Sequence, residues 1–260
     1  QMASMFLHAE TFNSDLSSWD VSNVVTMERM FREAHNFNSD LSNWDVSNVT
    51  IMNEMFRRAL TFNSDLSSWD VSNVNFMWAM FQDTPLFNSD LSNWDVSNLI
   101  RMGSMFELAT SFNSDLSSWD VSSVTGIGAA FNRALLFNSD LSGWDVSNVE
   151  DMFSSTFDET DALSDENKCA INTSWSSQNS DWPYDWSGLC TSLSANYSLS
   201  FDGNNDYVNI PDQEQLRLTG TYTLEAWVNP STFSWLGGII SKYHTNASNG
   251  YTLRLTDQSP

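Results

Sequence analysis

Over residues 1–157 the hydrophobic and polar positions follow one order that recurs every 25 residues. Phe-Asn-Ser-Asp begins at Phe12, Phe37, Phe62, Phe87, Phe112 and Phe137. Trp-Asp-Val-Ser follows at Trp19, Trp44, Trp69, Trp94, Trp119 and Trp144, with no insertion between units. Such self-similarity has to be read before any local pattern. Within Leu16–Ser22 the pattern alternates about Trp19 and Val21, which predicts a short strand with those two side chains inward. Ser22 and Asn23 suit a helix N-cap. Met27, Met30, Phe31 and Ala34 then fall at i, i+3, i+4 and i+7, the signature of one helix face. The polar stretch from Asn36 into the next Phe-Asn-Ser reads as a turn.

A unit of this size cannot bury its own apolar face, so the repeats must stack. The expected fold is an α/β solenoid of 25-residue strand–helix repeats, leucine-rich-repeat-like, over residues 1–157. Its methionine stripe reads as core filler between helix and sheet, with a soft-metal or oxidation-sensing array as the competing reading. Met2, Met5, Phe6 and Ala9 repeat the Met27, Met30, Phe31 and Ala34 pattern one unit earlier, so the chain is expected to start inside a preceding repeat. Toward the other end the pattern decays. Gly126 and Gly128 weaken the fifth unit, and the sixth carries Asp151-Met-Phe-Ser-Ser-Thr-Phe157. Residues 158–195, rich in tryptophan and holding both cysteines, read as a cap and linker. Cys169 and Cys190 have no C-x-x-C spacing or companion histidine. A structural disulfide is the expected state, implying an oxidising compartment, with a metal or redox pair as the alternative.

Beyond residue 195 the texture changes again. Ser198–Pro211 reads as strand, Gly/Asn turn, strand, and Thr221–Val228 alternates with Tyr222, Leu224, Ala226 and Val228 on one face. Ile239-Ile240-Ser-Lys and Tyr251–Leu255 continue that texture. Residues 196–260 are therefore expected to form strands of an antiparallel all-β sandwich.

Charge narrows the partners. Ten Lys+Arg stand against 33 Asp+Glu, a net of −23, and Lys168 and Lys242 are the only lysines. A surface this acidic repels phosphate backbones, which makes nucleic acid a poor partner. No apolar run is long enough to span a bilayer, and the N-terminus carries no signal-peptide pattern.

The run L-x-x-W-D-V-S-x-V-x-x-M-x-x-M-F-x-x-A, as in Leu16 to Ala34, resembles the BspA-like leucine-rich-repeat bacterial surface proteins. That resemblance implies a secreted or surface-displayed repeat protein often linked to adhesion, and it carries no catalytic residues. The words S-F-D-G-x-x-D-Y-V, T-L-E-A-W-V and I-I-S-K resemble the laminin-G-like or concanavalin-like jelly roll. This second resemblance implies a glycan-binding module, often calcium-dependent, and a complete jelly roll larger than this segment, so residues 196–260 are expected to be the N-terminal part of a truncated all-β sandwich.

Several constellations are candidates for chemistry. Asp20, Asp45, Asp70, Asp95, Asp120 and Asp145 are expected to form a column off the core, where like charges raise each other's pKa. Calcium bridging successive units is one reading of that column, and a solvated acidic face is the other. Asp15, Asp40, Asp65, Asp90, Asp115 and Asp140 are accounted for by Asx turns, and Asn13 and its equivalents by a ladder. Phe76 and Trp78 flank Met77 off the core face, as a partner surface or as lateral packing. Sequons at Asn48, Asn172, Asn196 and Asn246 matter only in a glycosylating host. Paired carboxylates also serve glycoside hydrolysis, but the same Asp on every repeat does not build one distinctive pocket. His8, His35 and His244 sit in unlike contexts, and no nucleophile elbow, P-loop or H-E-x-x-H is present.

The expectation is a non-catalytic extracellular adhesion or recognition protein, with the repeats as stalk and the sandwich binding cell-surface glycans or proteins. A structural subunit of an extracellular bacterial filament or appendage is the alternative, and would self-assemble. An accessory region of a secreted polysaccharide-degrading enzyme is the third reading.

Overall fold

The structure, a computed structural model, describes residues 1–151, 155–193, 238–242 and 251–254. The chain divides into two units, Gln1–Ser198 and Leu199–Pro260. In the first unit each 25-residue repeat forms one rung of a stack. We number the rungs 1 to 6 from Phe12, Phe37, Phe62, Phe87, Phe112 and Phe137.

A rung is a chain of tight turns. In the first, Trp19 N donates to Leu16 O, Val24 N to Val21 O, Met30 N to Met27 O and Ala34 N to Phe31 O, at 2.8–3.1 Å. The amides between those turns reach forward to the next rung. Met27 N donates to Ile51 O, Arg29 N to Asn53 O, Phe31 N to Met55 O and Glu33 N to Arg57 O. Thr26, Ile51, Phe76, Arg101, Gly126 and Asp151 form a line of single-residue parallel bridges along the stack.

The strand–helix solenoid expected from the pattern is therefore overturned. Among the described residues the repeats hold no helix and no strand longer than one bridge. The cause is in the backbone. Arg29 and Glu33, with Glu54, Arg58, Ala79, Asp83 and their later equivalents, adopt left-handed conformations with φ between 52° and 61°. A helix requires every residue right-handed, so two left-handed residues four positions apart in each rung turn the chain back on itself. Each such non-glycine residue costs about 1–2 kcal/mol. The inter-rung hydrogen bonds and core packing hold them there.

The inward residues pack as continuous columns. Phe31, Phe56, Phe81, Phe106 and Phe131 are fully buried, with successive centroids 5.7 Å apart and rings nearly parallel. A second column, Phe37, Phe62, Phe87, Phe112 and Phe137, lies against the first, with Phe31 and Phe37 centred 3.9 Å apart. Leu, Val, Met and Trp columns fill the remainder, and the result is one continuous core.

Helix α1 (Asp165–Gln178) closes this core beyond rung 6. Ser164 caps it by accepting from Asn167 N, and Asp165 and Glu166 lie in its first turn, where carboxylates favour the helix dipole. The helix borrows the contacts of a rung. Trp175 is fully buried, stacks 5.9 Å from Trp144, and donates from Nε1 to Leu141 O. That is the bond each repeat tryptophan from Trp44 to Trp144 makes to the leucine carbonyl one rung back. Gln178 accepts from Val146 N and donates to Trp144 O. Helix α2 (Ser187–Leu193) follows, tied to α1 by the Cys169–Cys190 disulfide.

In the second unit, β1 (Gly238–Lys242) and β2 (Tyr251–Arg254) pair antiparallel, with Ile240 opposite Leu253 and a bulge between Gly238 and Ile240. The remainder of the expected sandwich over 196–260 lies outside the described residues.

Candidate functional site

The stack presents two chemically distinct surfaces. The first carries the aspartate columns. Asp20 Oδ1 accepts from Ser22 N at 3.0 Å and Ser22 Oγ at 2.6 Å, and the same pair recurs at Asp45, Asp70, Asp95, Asp120 and Asp145. All six residues are exposed. The serine hydroxyl, then the serine amide, hold the carboxyls of Asp20, Asp45, Asp95 and Asp145 below the usual range. At Asp45 the neighbouring Asp20 pushes the other way and loses. The mutual repulsion expected of stacked carboxylates is present at Asp45 but does not set the direction: at these four the net shift is downward, because each is stabilised as the anion by its own turn. Among the described residues no three His, Cys, Asp or Glu side chains gather as a metal-sized set.

Asp15 and its equivalents close Asx turns, as Asp15 Oδ1 does with Ser17 N at 2.8 Å. Asn13 Oδ1 accepts from Asn38 N, and Asn38, Asn63, Asn88 and Asn113 continue the ladder. The serine between them is structural too, since Ser39 Oγ accepts from Leu16 N. Of the sequon asparagines, Asn48 donates to Ser22 O. Asn172 accepts from Trp182 Nε1 at 2.9 Å. Asn196 and Asn246 lie outside the described residues.

The second surface is built by the outward residues of positions 25–36 and their equivalents. All six arginines of the repeats, Arg29, Arg32, Arg57, Arg58, Arg101 and Arg133, occur in these segments. Glu54 lies at the centre of one cluster with 1% exposure. It meets Arg29 Nε at 2.8 Å, Arg32 Nη1 at 2.7 Å and Arg57 Nη1 at 2.9 Å. Burial alone would raise its pKa. Hydrogen bonds from Arg29 and Arg57 and the charge of Arg32 outweigh burial and lower it. Glu33 joins His8, Arg32 and Arg58 in an adjoining group.

Phe76 and Trp78, the expected partner-binding pair, lie on rung 3 of this surface. Phe76 is half-buried in the bridge line, whereas Trp78 is 42% exposed. Asn53 Oδ1 accepts from Trp78 N, and the indole lies over Gly103, where an added Cβ would meet its Cδ1 at 3.3 Å. Arg101, one rung on, is exposed and lies over Gly126. It makes no ion pair among the described residues, unlike the other repeat arginines. Sequence reasoning missed both Arg101 and the Glu54 cluster. Comparing the repeats position by position would have exposed them, because charge and size change most from unit to unit at these positions.

In the cap, Phe157, Trp182, Tyr184 and Trp186 cluster against Trp175. Tyr184 Oη accepts from Phe157 N and donates to Asp158, while burial, first among the causes, pushes its pKa far up. Two open clefts lie on the stack, one over Trp144 and Gln178 and one over the Asn113 and Asn138 turns.

Two family models match the chain. One, described as Mycoplasma protein of unknown function, DUF285, matches residues 1–88 and 65–168. The other, a laminin-G-type model described as the Concanavalin A-like lectin/glucanases superfamily, matches residues 202–260. No curated protein and no solved structure matches it.

Proposed function

Starting from the chain's membership of the family described as Mycoplasma protein of unknown function, DUF285, we propose that it is a non-catalytic recognition protein acting outside the cell, its repeat stack a scaffold for a lectin-like module. The observation that carries this reading is the concanavalin-like match over residues 202–260, directly after a stack whose rungs repeat one chemistry. The module would recognise a cell-surface glycan or protein, a role the word lectin in its superfamily description supports. The Cys169–Cys190 bridge fits an oxidising compartment. No described helix is long and apolar enough to cross a membrane.

Binding of the 260-residue chain to immobilised glycans and to host cells, with calcium and with chelator, tests the reading. Saturable binding that free glycan competes away supports it. Binding to neither surface in either condition would overturn it and leave the structural-subunit reading in its place. The unpaired outward face around Trp78 is what favours that second reading.

A further inference from the structure

The side chains at positions 26 and 28 of rungs 1 to 4 flank a fully buried residue at 27 and are partly or fully exposed, so their sequence along the stack is the sequence of a surface, while the glycines on the line, Gly103, Gly126 and Gly128, are buried. From rung 1 to rung 5 position 26 reads Thr26, Ile51, Phe76, Arg101, Gly126, and position 28 reads Glu28, Asn53, Trp78, Gly103, Gly128. Most of the inter-rung bonds here are made by the backbone, with Asn53 Oδ1, which accepts from Trp78 N, the side chain that adds to them. The line is aperiodic, yet it is complementary to itself when reversed about the step between rungs 2 and 3. Reversal sets rung 1 opposite rung 4 and rung 2 opposite rung 3. Ile51 then meets Phe76, Glu28 comes within a guanidinium's reach of Arg101, and Asn53 meets Trp78. One position earlier, at the edge of the face, exposed Val25 meets Ile100. The small residues at Gly126 and Gly128 keep the neighbouring rung from standing proud.

We propose that this face pairs with the same face of a second copy, antiparallel, about a two-fold axis lying in the interface between rungs 2 and 3. Two-fold pairing is the commonest closed symmetry, and it demands such self-complementarity. The direction is decided by charge. Parallel stacks would set Arg101 against the partner's Arg101 and Glu28 against the partner's Glu28. Antiparallel stacks exchange those for two opposite-sign pairs. They also bury the apolar pair and the exposed indole, while leaving the acidic columns elsewhere on the stack to solvent. Arg101, the repeat arginine without an acidic partner among the described residues, acquires one.

The contact is small, so a dissociation constant of about 10–100 μM is expected. The test is sedimentation equilibrium of the full chain from about 5 to 500 μM at about 0.15 M salt, where the self-repulsion of a −23 chain is screened. Arg101→Glu and Glu28→Arg should each weaken dimerisation about ten-fold, and the double swap should restore it. Glu28→Arg is the telling variant, since it lowers net repulsion and would strengthen association of any unspecific kind. Phe76→Ser with Trp78→Ser should abolish pairing without changing the melting profile by more than a few degrees. A monomer throughout the range overturns the proposal. So does a dimer indifferent to the single reversals, or one not restored by the double. The readout is independent of glycan binding, so either proposal can fail alone.

Discussion

The two halves of a rung are built on opposite terms. Residues 12–24 and their equivalents hold the stack with side chains. Asn13 takes an amide of the next rung, Ser39 takes the amide of Leu16, Trp44 reaches the carbonyl of Leu16, and Asn48 reaches that of Ser22. Residues 25–36 hold it with the main chain, through amides such as Arg29 N and Glu33 N donating to Asn53 O and Arg57 O. Side-chain identity repeats wherever the side chain is a structural part. Where the backbone does that job, only the inward residues are fixed, and the outward ones are free to carry specificity.

The sharpest way to break this comparison is to take one residue type from each half. Trp94 is 4% exposed and donates to Leu66 O, whereas Trp78 is 42% exposed and its indole makes no hydrogen bond among the described residues. Trp94→Ala should cost about 3–5 kcal/mol, through a cavity and a disturbed column. Trp78→Ser should cost less than about 1 kcal/mol. Urea unfolding of the two variants measures both; equal losses would dissolve the distinction.

Glu54 tests it from the other side, as an outward-half residue that has become structural. Replacing it with Gln leaves Arg29, Arg32 and Arg57 facing one another, at a cost of about 2–4 kcal/mol, at or below the range for breaking a buried pair because these arginines retain some water. Its folded pKa is depressed, so the stability it contributes is present above the ordinary glutamate value of about 4.3 and lost as pH falls through the folded value. Melting temperature followed from pH 7 down to 3 should fall less steeply for Glu54→Gln than for the parent chain. Parallel curves would show that the cluster holds no linked proton.

These residues also explain what could be read in advance. The inward set, Trp, Val, Met, Phe and Ala, was legible because only burial demands that spacing. The element type was not. Turns four residues apart, each reset by a left-handed Arg29 or Glu33, place Met27, Met30, Phe31 and Ala34 inward at the same intervals as a helix face. Periodicity of burial cannot separate those cases. The usual warning of a left-handed residue, glycine or asparagine, is absent at Arg29, Glu33, Glu54 and Arg58. Of the candidate site, Phe76 and Trp78 were visible as apolar residues off the core. Arg101 became visible only once neighbouring arginines were seen to be paired.

A smaller effect is expected in the side-chain half. Asn88 accepts from Asn113 N at 2.9 Å at an exposed edge, so Asn88→Ala should cost about 1 kcal/mol. Water can replace part of what is lost. Differential scanning calorimetry of this variant against Trp94→Ala ranks ladder against column; a loss as large as the tryptophan's would mean that the ladder, not the core, sets the register.

The smallest prediction has the opposite sign. Ala129 sits at φ 55° and Arg133 at φ 58°, while the nearby Gly126, which Arg101 covers, occupies a position that needs no left-handed backbone. Rung 5 therefore carries this glycine where it admits a neighbour's side chain, and its strain where alanine bears it. Ala129→Gly relieves about 1 kcal/mol of that strain and returns roughly 0.5–1 kcal/mol as unfolded-chain entropy. A gain of a few tenths of a kcal/mol, or a balance near zero, is the expected outcome in urea unfolding. A clear loss would mean the alanine methyl packs into the stack, and that even the left-handed corners of the main-chain half have side chains holding them in place.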